Sequence, residues 1–201
     1  MSATKPRLPA SERRAHVLGC ACKVFSEGSY RGTTTAELAK AAGVTEPILY
    51  RHFESKRDLY LECLDASWAD LRARWDAAIE GESDPALWLK ALATAFFEAE
   101  KKRPIVSSLW IQALSEAAED DAIRRYMRAH LREVHAYVAG VIERGQEAGG
   151  FLADRDPRAE AWLFLSLGIL KMASLRLGGL VDDDFPAIIA ARRSWLTWRD
   201  S

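Results

Sequence analysis

Long apolar runs are missing from this chain of 201 residues. The longest, AWLFLSLGIL over 161–170, stops at Lys171. That is about half of what a bilayer span needs, so a membrane-spanning role is excluded. Cysteine is scarce: Cys20, Cys22 and Cys63 are the full set. An odd count, after a polar and basic opening MSATKPRLPASERR with no signal-type stretch, predicts free thiols in a reducing cytoplasm. Strand signals are absent as well. There are no alternating Val/Ile/Thr runs and no Asn-Gly or Asp-Gly turns, so an all-α fold is expected.

Catalytic and metal signatures are missing too. The chain has no Gly-x-Ser-x-Gly, no His-Glu-x-x-His and no phosphate-cradling glycine loop. Cys20 and Cys22 are two apart on a helix and point to different faces. His130 and His135 are five apart, off the i, i+4 spacing of a helical metal pair. No enzyme activity, metal or cofactor is expected.

Charge of one sign is lacking only on average. Net charge is -1, but residues 1–60 hold ten Lys and Arg against six Asp and Glu. The remainder holds 18 against 23. A basic head on an acidic body directs any anionic partner to the N-terminal part. Composition is otherwise that of a soluble globular protein, 49% hydrophobic and 28% charged, with enough chain for a core.

What is present is helical periodicity. Val17, Leu18, Ala21, Val24 and Phe25 form one stripe of a helix from about Ser11 to Glu27, with Gly28 after it. Thr34 and Glu37 form a capping box for a short helix that stops at Gly43. Thr45 is the next N-cap candidate, and Pro47 suits the first turn of a helix to about Phe53. Ser55 and Asp58 start a longer helix that Gly81–Pro85 break. Further helices are expected from Pro85 to about Lys102, from Pro104 to about Ala117 and from about Asp120 to Glu147. Two more run from Asp156-Pro157 to Leu177 and from roughly Phe185 to Arg199. That makes about nine helices. Helix, short helix, glycine-containing turn and short helix is a helix-turn-helix layout.

The stretch GSYRGTTTAELAKAAGVTEPILYRHFESKRDLY, residues 28–60, resembles the tetracycline-repressor (TetR) family of bacterial transcriptional regulators. The resemblance rests on Thr33-Thr34, Leu38-Ala39, Ala42-Gly43-Val44, Leu49-Tyr50, His52-Phe53 and Lys56. It is strict over roughly residues 11–60. Beyond them only helix number and order fit. It implies an N-terminal DNA-binding domain, 1–54, and a C-terminal ligand-binding and dimerisation domain, 55–201. It also implies that Tyr50, Lys56 and Thr33 or Thr34 grip phosphates. Pro47 stands where the family often has a small residue, so the operator sequence does not carry over.

The residues suit a groove-reading surface. Val44, Ile48, Leu49 and Phe53 form an apolar docking edge. Thr45, Tyr50, Arg51, His52 and Lys56 are donors for phosphates and base edges. Glu46, Pro47 and Arg51 are the expected base-facing positions. Phe53, and less so Tyr50, could equally pack the module, and Lys56 with Arg57 could be a solvated first turn.

In the body, RAEAWLFLSLGILKMASLRLG is apolar nearly all round and needs burial on several sides. Leu163, Leu167, Leu170, Ser174, Ile188, Arg192 and Trp195 are the expected homodimer interface, with burial inside one subunit as the alternative. All seven tryptophans lie in the body. Trp68, Trp75, Phe97, Trp110, Met127, His130 and Trp162 are the pocket candidates for a small apolar, possibly aromatic effector. The implied function is a ligand-responsive regulator, a repressor by preference, that binds a palindromic double-stranded DNA operator as a dimer. A helical bundle with a protein-interaction head and a thiol-based redox sensor are the alternatives.

Overall fold

The computed structural model describes residues 9–102 and 104–197. Among them every regular element is helical, and none is long and apolar enough to cross a membrane. The helices are α1 (Ala10–Glu27), α2 (Thr35–Ala41), α3 (Glu46–Tyr50), α4 (Lys56–Glu80), α5 (Trp88–Lys102), α6 (Ile105–Glu116), α7 (Asp121–Glu147), α8 (Pro157–Arg176) and α9 (Phe185–Thr197). The expected end of the last helix at Arg199, and Trp198, lie outside the described residues. Pro85 opens a 3-10 turn, Pro85–Leu87, before α5 begins. The expected helix start there is therefore three residues early.

The local signals act as caps. The Thr34 hydroxyl accepts from the Glu37 N–H at 3.2 Å, and the Glu37 carboxylate accepts from the Thr34 N–H at 2.8 Å. Both halves of the capping box are made. The Thr34 N–H first, and then its hydroxyl donating at 2.9 Å, hold the Glu37 carboxyl below its ordinary range. Thr45 occupies the N-cap position of α3 but makes no side-chain cap bond. Ser55 accepts from the Asp58 N–H at 3.0 Å and starts α4 as expected. Asp120 caps α7 through the N–H groups of Ala122 and Ile123, at 2.8 and 3.1 Å. Asp156 caps α8 through that of Arg158, at 2.9 Å. Gly43 ends the α2 turn at φ 65, a left-handed conformation that costs glycine nothing.

The described chain divides into two compact units. One comprises residues up to Asp70 together with Lys102–Tyr126, and the other Leu71–Lys101 with the chain from Met127 onward. In the first, α1 packs on α2 and α6, and α2 packs on α3. Its core holds Val17, Phe25, Leu38, Leu49, Phe53, Leu59, Tyr60 and Leu109, all at or near zero exposure. Tyr60 meets Phe25 edge-on at 5.1 Å and donates to the Leu109 carbonyl at 2.7 Å. Burial pushes its phenol well above the ordinary tyrosine range.

The second unit is a bundle of the end of α4 with α5, α7, α8 and α9. Trp75, Leu92, Val138, Val141, Ile142, Phe151 and Ala161 are buried there. The Trp75 indole donates to the Leu92 carbonyl at 3.0 Å and stacks on Tyr137 at 5.6 Å. Gly150 is required by a close approach: a Cβ there would stand 2.5 Å from the backbone of Pro85 and Ala86.

Candidate functional site

The helix-turn-helix of the first unit presents two faces. Leu49 and Phe53 are fully buried beneath α3, and Val44 and Ile48 are half-buried, as the docking edge requires. On the other face Thr45, Pro47, Tyr50 and Arg51 are exposed, and His52 is half-exposed. Arg51 and Lys40 have no ion-pair partner among the described residues. Several other cations of this unit are already matched. Arg31 bonds Glu116 and Glu119, Arg57 bonds Asp120, and Arg14 bonds Glu62. Arg51 and Lys40 thus place unpaired positive charge at the end of α3 and in the last turn of α2.

Two expected contacts are partly engaged inside the protein. The Lys56 ammonium donates to the Tyr30 carbonyl at 2.9 Å and the Thr33 carbonyl at 3.1 Å. It also lies 4.7 Å from the centre of the Tyr30 ring. One of its three N–H donors is left over. The Glu46 carboxylate accepts from the Thr35 hydroxyl at 2.6 Å, so α2 holds the side chain expected to read a base. Thr33 is buried, and Thr34 is exposed at the start of α2. Gln112 of α6 completes the turn after α1. It donates to the carbonyls of Phe25 and Gly28, at 2.9 and 3.2 Å, and accepts from the Tyr30 N–H at 3.0 Å. Nothing in the local sequence signals these bonds, since their partners lie more than 80 positions apart.

The pocket candidates fall in both units. Trp68 and Trp110 belong to the first unit, and Trp75, Phe97, Met127, His130 and Trp162 to the second. Trp75, Met127 and His130 are buried. Trp162 is 45% exposed and stacks on His135 at 4.2 Å, on the surface of α8. A cavity of about 330 Å³ opens in the second unit, and of the candidates only Phe97 lines it. Phe151, Phe164 and Phe185, which are not among the pocket candidates, and Ile189, expected with Ile188 at the dimer interface, supply much of its wall. An aromatic pattern alone does not separate such residues from ordinary core.

The expected interface residues divide in the same way. Leu163 and Leu170 on α8, and Trp195 on α9, are exposed. Leu167 and Arg192 line the cavity, and Arg192 forms an ion pair with buried Glu160. Ser174 is buried; it accepts from the Val181 N–H at 3.0 Å and bonds Asp182 at 3.2 Å. Ile188 is half-buried. The long apolar helix is not covered all round within one chain. Trp162, Leu163, Ile169, Leu170, Leu175 and Leu177 of α8 and its end are left in solvent.

The thiols are free. Cys63 is buried and pushed up, first by a hydrogen bond with Cys22 and then by burial, while the same bond lowers Cys22. Among the described residues no group of three His, Cys, Asp or Glu could hold a metal ion.

An exposed five-residue helix carried on a buried edge, preceded by a capped helix and a glycine turn, defines a helix-turn-helix transcription regulator. The family model "Bacterial regulatory proteins, tetR family" matches residues 17–63, and "BetI-type transcriptional repressor, C-terminal" matches residues 85–167. The chain belongs to the TetR family of bacterial transcriptional regulators. It is similar to the transcriptional activator FasR of Mycolicibacterium smegmatis, 38% identical over 46% of this chain. That match spans 42% of FasR, less than half of its length. It is also similar to the transcriptional repressor KstR2 of Rhodococcus jostii, 28% identical over 73% of this chain and 71% of that one. A transcriptional regulator from Saccharomonospora viridis, solved with choline, shares the fold: TM-score 0.77, 23% identity, 94% of this chain and 100% of that one. These relatives are named as regulators and none as an enzyme.

Proposed function

We propose that this regulator binds a palindromic operator as a homodimer, acts as a repressor and is released by a small apolar effector held in its C-terminal part. The observation that carries the reading is α3. Its exposed Pro47, Tyr50 and Arg51 stand over a buried Leu49, with unmatched cations beside them. Such a surface suits a phosphate-lined groove. Residues 1–54 act as the DNA-binding domain and 55–201 as the effector and dimer domain.

The exposed faces of α8 and α9 support the dimer. A contiguous row of exposed large apolar side chains on one helix favours a covering partner, and a second copy puts two α3 helices on one duplex. Release is a linkage effect. An effector that prefers a protomer arrangement mismatched to the operator weakens DNA binding, and DNA weakens effector binding by the same factor. α4, one continuous helix from Lys56 to Glu80, starts directly after the DNA-binding part and runs on into the effector part. No cofactor or metal enters this scheme.

The test is a gel shift of the full chain on the DNA upstream of its own gene, with unrelated competitor DNA. Retention that survives competitor supports the reading. Retention that vanishes with competitor contradicts it and favours a head that serves protein contacts. With the operator ahead of a reporter, effector should raise expression.

A further inference from the structure

The cavity of the second unit has walls from α5, α8 and α9 and a volume of about 330 Å³. That is at the small end of the roughly 300–1,000 Å³ usual for small-molecule sites. Its lining is mainly apolar, with Phe97, Phe151, Phe164 and Phe185 prominent. Four charged side chains also reach it: Lys90, Glu98, Arg192 and Arg193. Two of them are already neutralised. Glu98 accepts from Lys101 at 2.5 Å, and Arg192 pairs with Glu160. Lys90 on α5 and Arg193 on α9 have no ionic partner among the described residues. The uncompensated charge of this apolar site is therefore wholly positive.

We propose that the cavity takes a compact monocarboxylate of medium chain length, its carboxylate meeting Lys90 and Arg193 and its apolar body lying against the phenylalanines. This rests on reading the C-terminal part as effector-binding and names the effector's class. A carboxylate gains from both free cations, modestly since both side chains are exposed, while its chain gains from the apolar walls. A quaternary ammonium meets the same two charges as repulsion, and the one carboxylate lining the cavity already has a partner. The structural neighbour solved with choline thus shares the fold, while the charge of this cavity favours the opposite sign of ligand.

The test is calorimetric titration of the full chain, without DNA, with three probes of one chain length: octanoate, octan-1-ol and octyltrimethylammonium. Octanoate should bind best and the ammonium worst. The double variant K90M/R193M keeps two apolar stems in exposed positions. It should weaken octanoate about threefold to tenfold, the sum of two partly exposed charge contacts, and leave octanol unchanged. Leu167→Trp fills the cavity and should abolish octanoate binding while the thermal melt stays cooperative. Equal binding of octanoate and octanol, tighter binding of the ammonium, or unchanged octanoate binding in either variant overturns the proposal. Because no DNA is present, loss of operator retention would sink the regulatory reading alone, and loss of octanoate binding this one alone.

Discussion

The Lys56 ammonium donates to two carbonyls of the turn between α1 and α2, Tyr30 at 2.9 Å and Thr33 at 3.1 Å. A residue that resembles a phosphate clamp is thus also a brace for the turn that leads into α2. Lys56→Met should lower the unfolding free energy by about 1–3 kcal/mol, the scale of bonds from a charged donor. It should also weaken binding to all DNA sequences alike and flatten the salt slope by about one unit. Chemical denaturation separates the brace from the clamp: a variant as stable as the parent shows that these bonds do not hold the turn in solution.

The capping box at α2 is a second point of local control. Thr34→Ala removes the acceptor for the Glu37 N–H and should cost about 1 kcal/mol. Thr34→Asp should restore most of it, since a carboxylate caps as well and suits the helix dipole. Thermal melts of the three proteins decide this, and equal midpoints for Thr34→Ala and the parent would argue against the cap.

Asp120 ties acid sensitivity to α7. Its carboxyl is lowered from the ordinary range, chiefly by the Ile123 N–H, with Arg57 adding to the effect. A folded-state pKa below the unfolded one contributes stability that is present above the unfolded value, roughly pH 4, and is lost as pH falls through the folded value. Asp120→Asn can still cap but does not titrate. The difference in stability between parent and variant, followed by urea midpoints, should therefore shrink as pH drops below about 4. A difference that stays constant over that window excludes Asp120 as the titrating group.

Much of the helix-turn-helix was legible because its signals are local. The Thr34–Glu37 box, Gly43 and Pro47 act within one turn of chain, and each sits where its spacing predicts. Thr45 took the N-cap position without using its hydroxyl, since a backbone turn alone can start so short a helix. The lining of the cavity in the second unit was poorly legible. Helical phase says which face of a helix is apolar, not which other helix it meets. Trp162 therefore read as a wall and stands on the surface, while Phe151, in a loop, and Phe185, at a helix start, had no periodic pattern to place them. The brace from Lys56 was hidden for a related reason, its partners being 26 and 23 residues away.

The exposed row on α8 predicts a sharp response. Leu163→Glu with Leu170→Glu adds like charges facing each other across the proposed two-fold axis. Both positions are exposed, at 47% and 36%, so the single chain should fold unchanged. Analytical ultracentrifugation should give a dimer for the parent and a monomer for the variant, with circular dichroism alike for both. A variant that stays dimeric moves the interface off this row.

The most direct test of the central claim is a hydroxyl-radical footprint of the full chain on the DNA upstream of its gene, read on both strands. Two related half-sites should be protected, their centres about 34–36 Å apart or a multiple of that. Arg51→Ala should relax the base preference within each half-site without moving them. A single protected half-site, or uniform protection that Arg51→Ala leaves unaltered, would contradict the account of two α3 helices reading one palindrome.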